Sequence, residues 1–86
     1  MPRYRYAIEE DAATALLALE DSQITRLVAT IESLAADPTA RPDSYSLDAQ
    51  GRPLANKVGG NFLIGYWFEH SAGRLHILRI DPLDSG

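Results

Sequence analysis

Hydrophobic and polar positions near the start of the chain alternate with a period of two. Tyr4, Tyr6 and Ile8 fall on one side of residues 3–8, and the intervening positions hold arginine and alanine. Alternation of this kind with aromatic residues is typical of a half-buried strand. The acids at residues 9–11 then stand where the dipole of a helix N-terminus favours them, so a helix is predicted to follow the strand directly.

The next two segments have the composition and the period of helices. Residues 12–20 are rich in alanine and leucine, the strongest helix formers, and Asp21-Ser22 then offers an N-cap. Beyond it, apolar residues recur at the spacing of an amphipathic helix, which ends before Pro38. These residues are Ile24, Leu27, Val28, Ile31, Leu34 and Ala35. Only a tight turn separates the segments, so they are predicted to form an antiparallel helical hairpin.

The C-terminal third of the chain returns to strand patterns. Residues 54–58, 62–69 and 75–80 are rich in aromatic and branched apolar residues, and residues 59–61 and 70–73 separate them as turns. Because short turns join neighbouring antiparallel strands, this region is predicted to form a three-stranded antiparallel meander. Bulky apolar groups on both sides of the middle strand indicate a central position in the sheet.

Residues 38–53 are predicted to form a loop, because proline, glycine, serine and aspartate dominate this stretch. Tyr45 and Leu47 are large apolar residues in these polar surroundings. We expect both side chains to anchor the loop on the core.

Together these elements predict an α+β fold with the order β-α-α-β-β-β. A helical hairpin packs on one face of a four-stranded antiparallel sheet, and residues 1–86 form a single domain. On the helical side, the expected core residues are Leu16, Leu17, Leu19, Leu27, Val28, Ile31 and Leu34. On the sheet side they are Phe62, Ile64, Tyr66, Phe68, Ile77 and Ile80.

Composition excludes several classes of protein. The chain has no cysteine and two histidines, which rules out a disulfide framework and leaves too few ligands for a zinc site. It also lacks a phosphate-binding Gly-x-x-x-x-Gly-Lys loop, so we expect neither a metal nor another cofactor. No apolar run approaches the roughly 20 residues of a membrane-spanning helix, and no apolar signal segment follows Met1. A cytoplasmic location without membrane attachment is expected.

Charge is distributed unevenly along the chain. The net charge is −4, yet residues 9–48 hold nine acids against two arginines, whereas residues 52–79 hold four basic residues against one acid. The helices are therefore predicted to be acidic and the strands basic. Such a sheet could present cations to an anionic partner. The alternative interpretation is that the helix surfaces are acidic only because they are solvated.

Several motifs in succession resemble the RelE/ParE superfamily of toxins from bacterial toxin–antitoxin pairs. The end of the second helix, residues 31–38, is similar to the family's I-x-x-L-x-x-D-P pattern. Residues 57–66 resemble its R-V-G-N-Y-R-V-I-Y signature with one extra glycine, and residues 75–80 resemble its closing strand. The strand at residues 4–8, followed by an Ala/Leu helix, resembles its beginning. The resemblance covers nearly the whole chain and implies the family's fold.

The resemblance also implies a toxin, but one with a degenerate catalytic set. The family's RNA-cleaving members inhibit translation by cutting ribosome-bound mRNA. Leu63 stands where they have an arginine, and residues 81–86 are acidic where they have a basic residue and often a tyrosine. The sequence therefore leaves open whether the chain is an enzyme, which would then be an mRNA endoribonuclease without a metal. The alternative is a non-catalytic protein-binding module on the same fold, such as a gyrase inhibitor or a degenerate toxin.

Partners follow from the same resemblance. An antitoxin protein is expected to wrap the domain, and an RNA-cleaving toxin would also contact the ribosome and mRNA. A homodimer is a further expectation, because small domains often complete their cores by association.

Cleavage of RNA through its own 2′-hydroxyl needs a base, cations for the phosphate charge and an acid for the leaving oxygen. The candidate catalytic residues are Lys57, Arg79, His76 and Tyr66. The candidate RNA-binding residues are Arg52, Lys57, Arg74 and Arg79. Structural roles compete with these hypotheses. Tyr66 is a core-type residue of a central strand, and strict alternation would place Arg79 on the same face as Leu75 and Ile77, where it would need a partner.

Overall fold

The computed structural model describes residues 3–83, which form two helices and a five-stranded sheet. The elements are β1 (Arg5–Ile8), α1 (Glu10–Leu17), α2 (Asp21–Ala36), β2 (Ser44–Leu47), β3 (Pro53–Gly59), β4 (Phe62–Glu69) and β5 (Arg74–Pro82). A single 3-10 turn at His70–Ala72 joins β4 to β5. The predicted α+β class is therefore confirmed. Residues 84–86, part of the acidic segment discussed above, lie outside the described residues.

The strand order is β1-β5-β4-β3-β2, and β3, β4 and β5 form the predicted antiparallel meander. The prediction that the whole sheet is antiparallel was wrong in one pair, because β1 runs parallel to β5. Hydrophobic alternation reports which side chains face the core but carries no information about strand direction. The helical hairpin forms the connection that brings the chain back to the sheet, so β1 lies at one edge beside the last strand.

The fifth strand, β2, occupies a segment that was predicted to be a loop. It pairs antiparallel with β3, and the side-chain amide of Asn56 donates hydrogen bonds to the hydroxyls of Ser44 and Ser46 at 3.3 and 3.2 Å. The expected anchoring of Tyr45 and Leu47 is not found, because their side chains are 71% and 64% exposed. Backbone pairing, together with these polar contacts, replaces the hydrophobic anchor.

Helix α2 is capped by Glu20, the residue that precedes it. The Glu20 side chain accepts a hydrogen bond from the backbone at Gln23, whose side chain accepts one from the Glu20 N–H at 3.0 Å, and this reciprocal arrangement starts α2. Helix α1 ends at Leu17, earlier than predicted. Leu17 is consequently 81% exposed, so its assignment to the core was wrong.

The hydrophobic core lies between the helices and one face of the sheet. Its buried residues are Ala12, Leu16, Leu27, Ile31, Leu34, Ala35, Phe62, Ile64, Tyr66, Leu75, Ile77 and Ile80. Leu19 and Phe68 are partly buried against this cluster. Val28 is half-buried and is not part of it. We call this side of the sheet the helical face and the other side the outer face.

Register assigns each strand residue to one of these faces, because directly paired residues point to the same side. Ile64 pairs with Lys57 and Ile80 on the helical face, whereas Gly65 pairs with Asn56 and Arg79 on the outer face. Tyr66 continues the regular alternation of β4 and pairs with Ile77 on the helical face. The irregularity opposite the step from Gly65 to Tyr66 lies in β5, where Leu78 is an extra residue that breaks the alternation of that strand.

Two glycines have a structural requirement. Gly60 has φ +59° and opens the two-residue turn between β3 and β4, a position that type II′ hairpin turns give to glycine. A Cβ on Gly65 would lie 2.9 Å from Leu54 Cδ2 and 3.3 Å from Arg79 Cβ. The absence of a side chain at Gly65 thus lets Leu54 and Arg79 approach on the outer face.

Candidate functional site

A groove of about 530 Å³ is bordered by α1, the β2–β3 turn and β5. Arg52 and Arg79, two of the predicted RNA-binding residues, both line it. Each is paired with a carboxylate that also lines the groove: Arg52 Nε lies 2.8 Å from Asp48 Oδ2, and Arg79 Nη2 lies 2.6 Å from Asp81 Oδ2. The groove therefore brings two of the candidates together, but as ion pairs rather than as free cations.

Asp48 organises the β2–β3 turn. Its Oδ1 accepts hydrogen bonds from the backbone N–H groups of Gln50 and Arg52, both at 2.9 Å, in addition to the ion pair with Arg52. The backbone hydrogen bond from Arg52 is the largest cause that holds the pKa of Asp48 below its ordinary value. Arg52 is thus held in a turn whose structure depends on Asp48.

His76 lies on the outer face in contact with two carboxylates and an indole ring. Its Nε2 donates to Glu69 Oε1 at 2.9 Å, and its Nδ1 lies 3.6 Å from Glu9 Oε1. The imidazole stacks on Trp67 with ring centroids 4.5 Å apart and planes 11° apart. A histidine oriented by a carboxylate in this way has a fixed ring and a defined second nitrogen, which general acid–base chemistry requires.

Arg74 begins β5 on the outer face and is the direct parallel-strand neighbour of Arg5. Both side chains are exposed, and within residues 3–83 neither one forms an ion pair. Like charges on adjacent strands repel one another, so this arginine pair favours an anion between them.

Lys57 lies on the opposite side of the sheet from Arg79. It pairs with Ile64 on the helical face, and its Nζ is 3.7 Å from Asp43 Oδ1. The placement of Arg79 beside Ile77 was wrong, because Leu78 is skipped in the register and Arg79 therefore pairs with Gly65 on the outer face. The expectation of one cationic surface that includes both residues is corrected accordingly.

Tyr66 is 1% exposed, and its hydroxyl is buried without a hydrogen-bond partner in the described part of the chain. Burial is the largest cause that raises the pKa of Tyr66, and the nearby Tyr45 and Asp43 raise it further. The phenol consequently stays protonated at neutral pH and can act only as a hydrogen-bond donor or acceptor. Its ring is a core element rather than an exposed surface for stacking.

A second pocket, of about 370 Å³, was not anticipated from the sequence. It lies between the α2–β2 connection and the C-terminal half of β4, and we call it the proline–aromatic pocket. Its lining residues are Pro38, Thr39, Ala40, Arg41, Pro42, Tyr45, Pro53, Ala55, Tyr66, Trp67, Phe68 and His70. The sequence does contain a signal for this pocket, namely the concentration of prolines in residues 38–53. These prolines were interpreted only as evidence for a loop.

Aromatic contacts build one wall of this pocket. Phe68 meets Tyr66 and Tyr4 edge-on at centroid distances of 5.6 and 5.7 Å, and it stacks with His70 at 5.5 Å. The Tyr4 hydroxyl is hydrogen-bonded to His70 Nδ1 at 2.9 Å. These contacts fix the orientation of the His70 ring at the end of β4. The hydrogen bond with Tyr4 uses Nδ1 and does not involve Nε2.

The described residues contain neither a cluster of metal ligands nor a helix that could span a membrane. Within residues 3–83, no group of three or more histidine, aspartate or glutamate side chains is arranged to hold a metal ion. Over the same residues, the helices are too short and too polar for one to cross a membrane.

Comparison with solved structures finds the same fold in toxin–antitoxin complexes. A chain of the archaeal RelE–RelB complex from Pyrococcus horikoshii matches with a TM-score of 0.77 at 18% identity, covering 99% of this chain and 100% of that chain. A chain of the toxin–antitoxin complex RelBE2 from Mycobacterium tuberculosis also has a TM-score of 0.77, at 19% identity, with coverage of 98% and 97%. No protein-family model matches the sequence, and no curated protein matches it significantly.

At this identity the likeness demonstrates a shared fold over essentially the full length of both proteins. The resemblance deduced from the sequence motifs is thereby confirmed at the level of fold. Function has to be argued from the residues of this chain.

Proposed function

We propose that this protein is the toxin of a toxin–antitoxin pair and that an antitoxin protein is its partner. The observation that carries the proposal is the full-length match to chains from two toxin–antitoxin complexes, with a TM-score of 0.77 in each case. An outer face with exposed apolar residues supports it, since Val58 and Trp67 are 42% and 39% exposed and a wrapping partner would cover them.

Expression in a host with and without the product of the neighbouring reading frame tests this proposal. The toxin alone should arrest growth, and co-expression should restore growth and yield a complex that co-purifies. Growth that continues despite confirmed soluble expression, together with the absence of a co-purifying partner, would contradict the proposal. Sizing of the purified chain alone would show whether it also forms a homodimer.

We further propose that the target is ribosome-bound mRNA and that the chemistry takes place on the outer face. His76, Arg74 and Arg79 share this face, whereas Lys57 and Tyr66 are on the helical face and cannot reach the same phosphate. Because Nε2–H donates to Glu69, Nδ1 of His76 can take the proton of the 2′-hydroxyl. The 2′-oxygen then attacks phosphorus, the bond to the 5′-oxygen breaks, and the leaving oxygen takes a proton from water. The arginines would bind the phosphate oxygens.

Substitution of the proposed base tests the ribonuclease step. His76→Asn should lower the cleavage rate of ribosome-bound mRNA by about 100-fold or more, since positioned proton transfer contributes 10²–10⁴. Lys57→Ala is the matched control, because Lys57 faces the helices, and it should retain activity. Equal loss in both variants, or no loss in His76→Asn, would exclude His76 as the base.

The second candidate is a non-catalytic protein-binding module. It is favoured by a specific observation: Arg52, Lys57, His76 and Arg79 each lie within 4.0 Å of a carboxylate, which reduces their availability for RNA. In this case the His76→Asn variant should still arrest growth and still bind the antitoxin, while no variant cleaves RNA. Growth arrest and RNA cleavage, both measured for His76→Asn and for the unmodified chain, therefore separate the candidates.

A further inference from the structure

The proline–aromatic pocket contains a polar group that the fold leaves unused. Tyr66 lines the pocket, and its hydroxyl is buried without a partner among the described residues. An unpaired buried hydroxyl destabilises a protein, and phenylalanine would fill the same space without that penalty. The hydroxyl becomes useful if a bound molecule brings a hydrogen-bond acceptor to it.

The walls of the pocket suit a flat ring. Three prolines, Pro38, Pro42 and Pro53, provide rigid apolar surfaces, and the aromatic cluster around Phe68 adds ring surfaces to the lining. Tyr45 is also in the lining and is 71% exposed, so it can turn towards a bound molecule at little cost. Aromatic side chains of this kind stack on nucleobases with little dependence on sequence.

The charged side chain in the lining of the pocket is a cation. Arg41 and His70 are in the lining, which contains no aspartate or glutamate, although the chain as a whole has a net charge of −4. Arg41 forms no ion pair within residues 3–83. The pocket thus offers hydrogen-bond donors and positive charge, which a phosphate and a carbonyl-bearing ring would complement.

We propose that the proline–aromatic pocket binds a single unpaired nucleotide. The base lies between the prolines and the aromatic wall, a carbonyl oxygen of the base accepts a hydrogen bond from the Tyr66 hydroxyl, and the phosphate binds Arg41. A volume of about 370 Å³ falls in the range of small-molecule sites. The inference goes beyond the proposed ribonuclease function, because neither His76 nor Arg79 lines this pocket.

Fluorescence of the single tryptophan, Trp67, provides a direct measurement, since Trp67 lines the pocket. Titration of the full chain with uridine monophosphate and guanosine monophosphate should give saturable changes. Uridine, which lacks the phosphate, should bind about tenfold more weakly, as expected for the loss of one charge-assisted contact. Inorganic phosphate alone should compete poorly, because it cannot use the aromatic wall.

Two variants assign the contacts. Tyr66→Phe should weaken binding of both nucleotides about tenfold while raising the melting temperature, since it removes only the unpaired hydroxyl. Arg41→Ala should reduce the affinity for uridine monophosphate to that for uridine. Arg26→Ala is the matched control on α2, outside the pocket, and should bind like the unmodified chain.

Three outcomes would overturn the inference. No saturable change with either nucleotide would exclude the site, and unchanged nucleotide affinity in Tyr66→Phe would show that the hydroxyl is not used. Binding of an antitoxin peptide that is weakened by Arg41→Ala, without any nucleotide binding, would assign the pocket to a protein partner instead. None of these results depends on whether the chain arrests growth or cleaves mRNA.

Discussion

The two faces of the sheet are built from the same strands but hold different kinds of residue. On the helical face, Ile64, Ile77 and Ile80 are packed against the helices. On the outer face, polar side chains such as those of Arg79 and His76 lie against carboxylates. Buried apolar groups stabilise a fold by kilocalories per side chain, whereas exposed ion pairs contribute little. The comparison shows that stability is concentrated on one face, which leaves the other free to carry binding residues.

Truncation of one apolar residue on each face tests this difference most strongly. Ile77→Ala should lower the free energy of unfolding by about 2–5 kcal/mol, because it opens a cavity at a fully buried site. Leu63→Ala on the outer face, where the side chain is half-buried, should cost about 1 kcal/mol or less. Urea denaturation measures both. Similar losses in the two variants would contradict the assignment of stability to the helical face.

The outer face has one position where packing is tight. Gly65→Ala should destabilise the fold by about 1–3 kcal/mol, since the new methyl group would meet Leu54 and Arg79. Because Leu54 provides the closest atom, the double variant with Leu54→Ala should lose less than the sum of the two single losses. Additive losses would indicate that the glycine is required for backbone conformation rather than for space.

The helical face has one position where a polar group disturbs the core. Tyr66→Phe should raise the free energy of unfolding by about 1 kcal/mol at neutral pH. Burial raises the pKa of the folded-state phenol above the ordinary 10.0, so the unmodified protein loses stability as pH rises past about 10, whereas the variant lacks this loss. Denaturation midpoints at neutral and alkaline pH measure the difference. A lower stability of the variant would reveal a partner for the hydroxyl.

The smallest expected effect concerns the β2–β3 turn, which borders the groove that Arg52 and Arg79 line. Asp48→Asn should reduce stability at neutral pH, because the carboxylate accepts two backbone hydrogen bonds. The pKa of Asp48 is lowered on folding from 3.8, so its contribution is complete above that value and is lost as pH falls through the folded-state pKa. The two proteins should therefore converge in acid. A difference that is independent of pH would exclude the charge as its cause.

Sequence periodicity predicted the helices and the meander correctly, because burial of one face imposes a repeat that can be counted. It failed where backbone pairing decides the outcome. β2 is held by its ladder with β3 and by Asn56. Its four residues do alternate between serine and a large apolar residue, but the prolines and glycine on either side of this short repeat favoured a loop.

The candidate site was harder to predict for a related reason. A shift of one residue in register transfers a side chain to the other face, and the irregularity at Gly65 and Tyr66 does this to Arg79. Contacts distant in sequence, such as that between His76 and Glu9, depend on strand order and cannot be read from local spacing. The proline–aromatic pocket depends on both the register and the path of the α2–β2 connection.

The parallel pairing of β1 with β5 also affects when the protein can finish folding. Because Arg5 of β1 pairs with Arg74 of β5, and β5 lies between β1 and β4, β1 cannot join the sheet until β5 has been made. During synthesis the helical hairpin and the strands β2 to β4 are therefore made before the strand that joins them to β1. Contacts between such distant residues slow folding because a large loop must close first. A polypeptide that stops short of β5 would lack the strand that joins β1 to β4, so its sheet would remain in two parts.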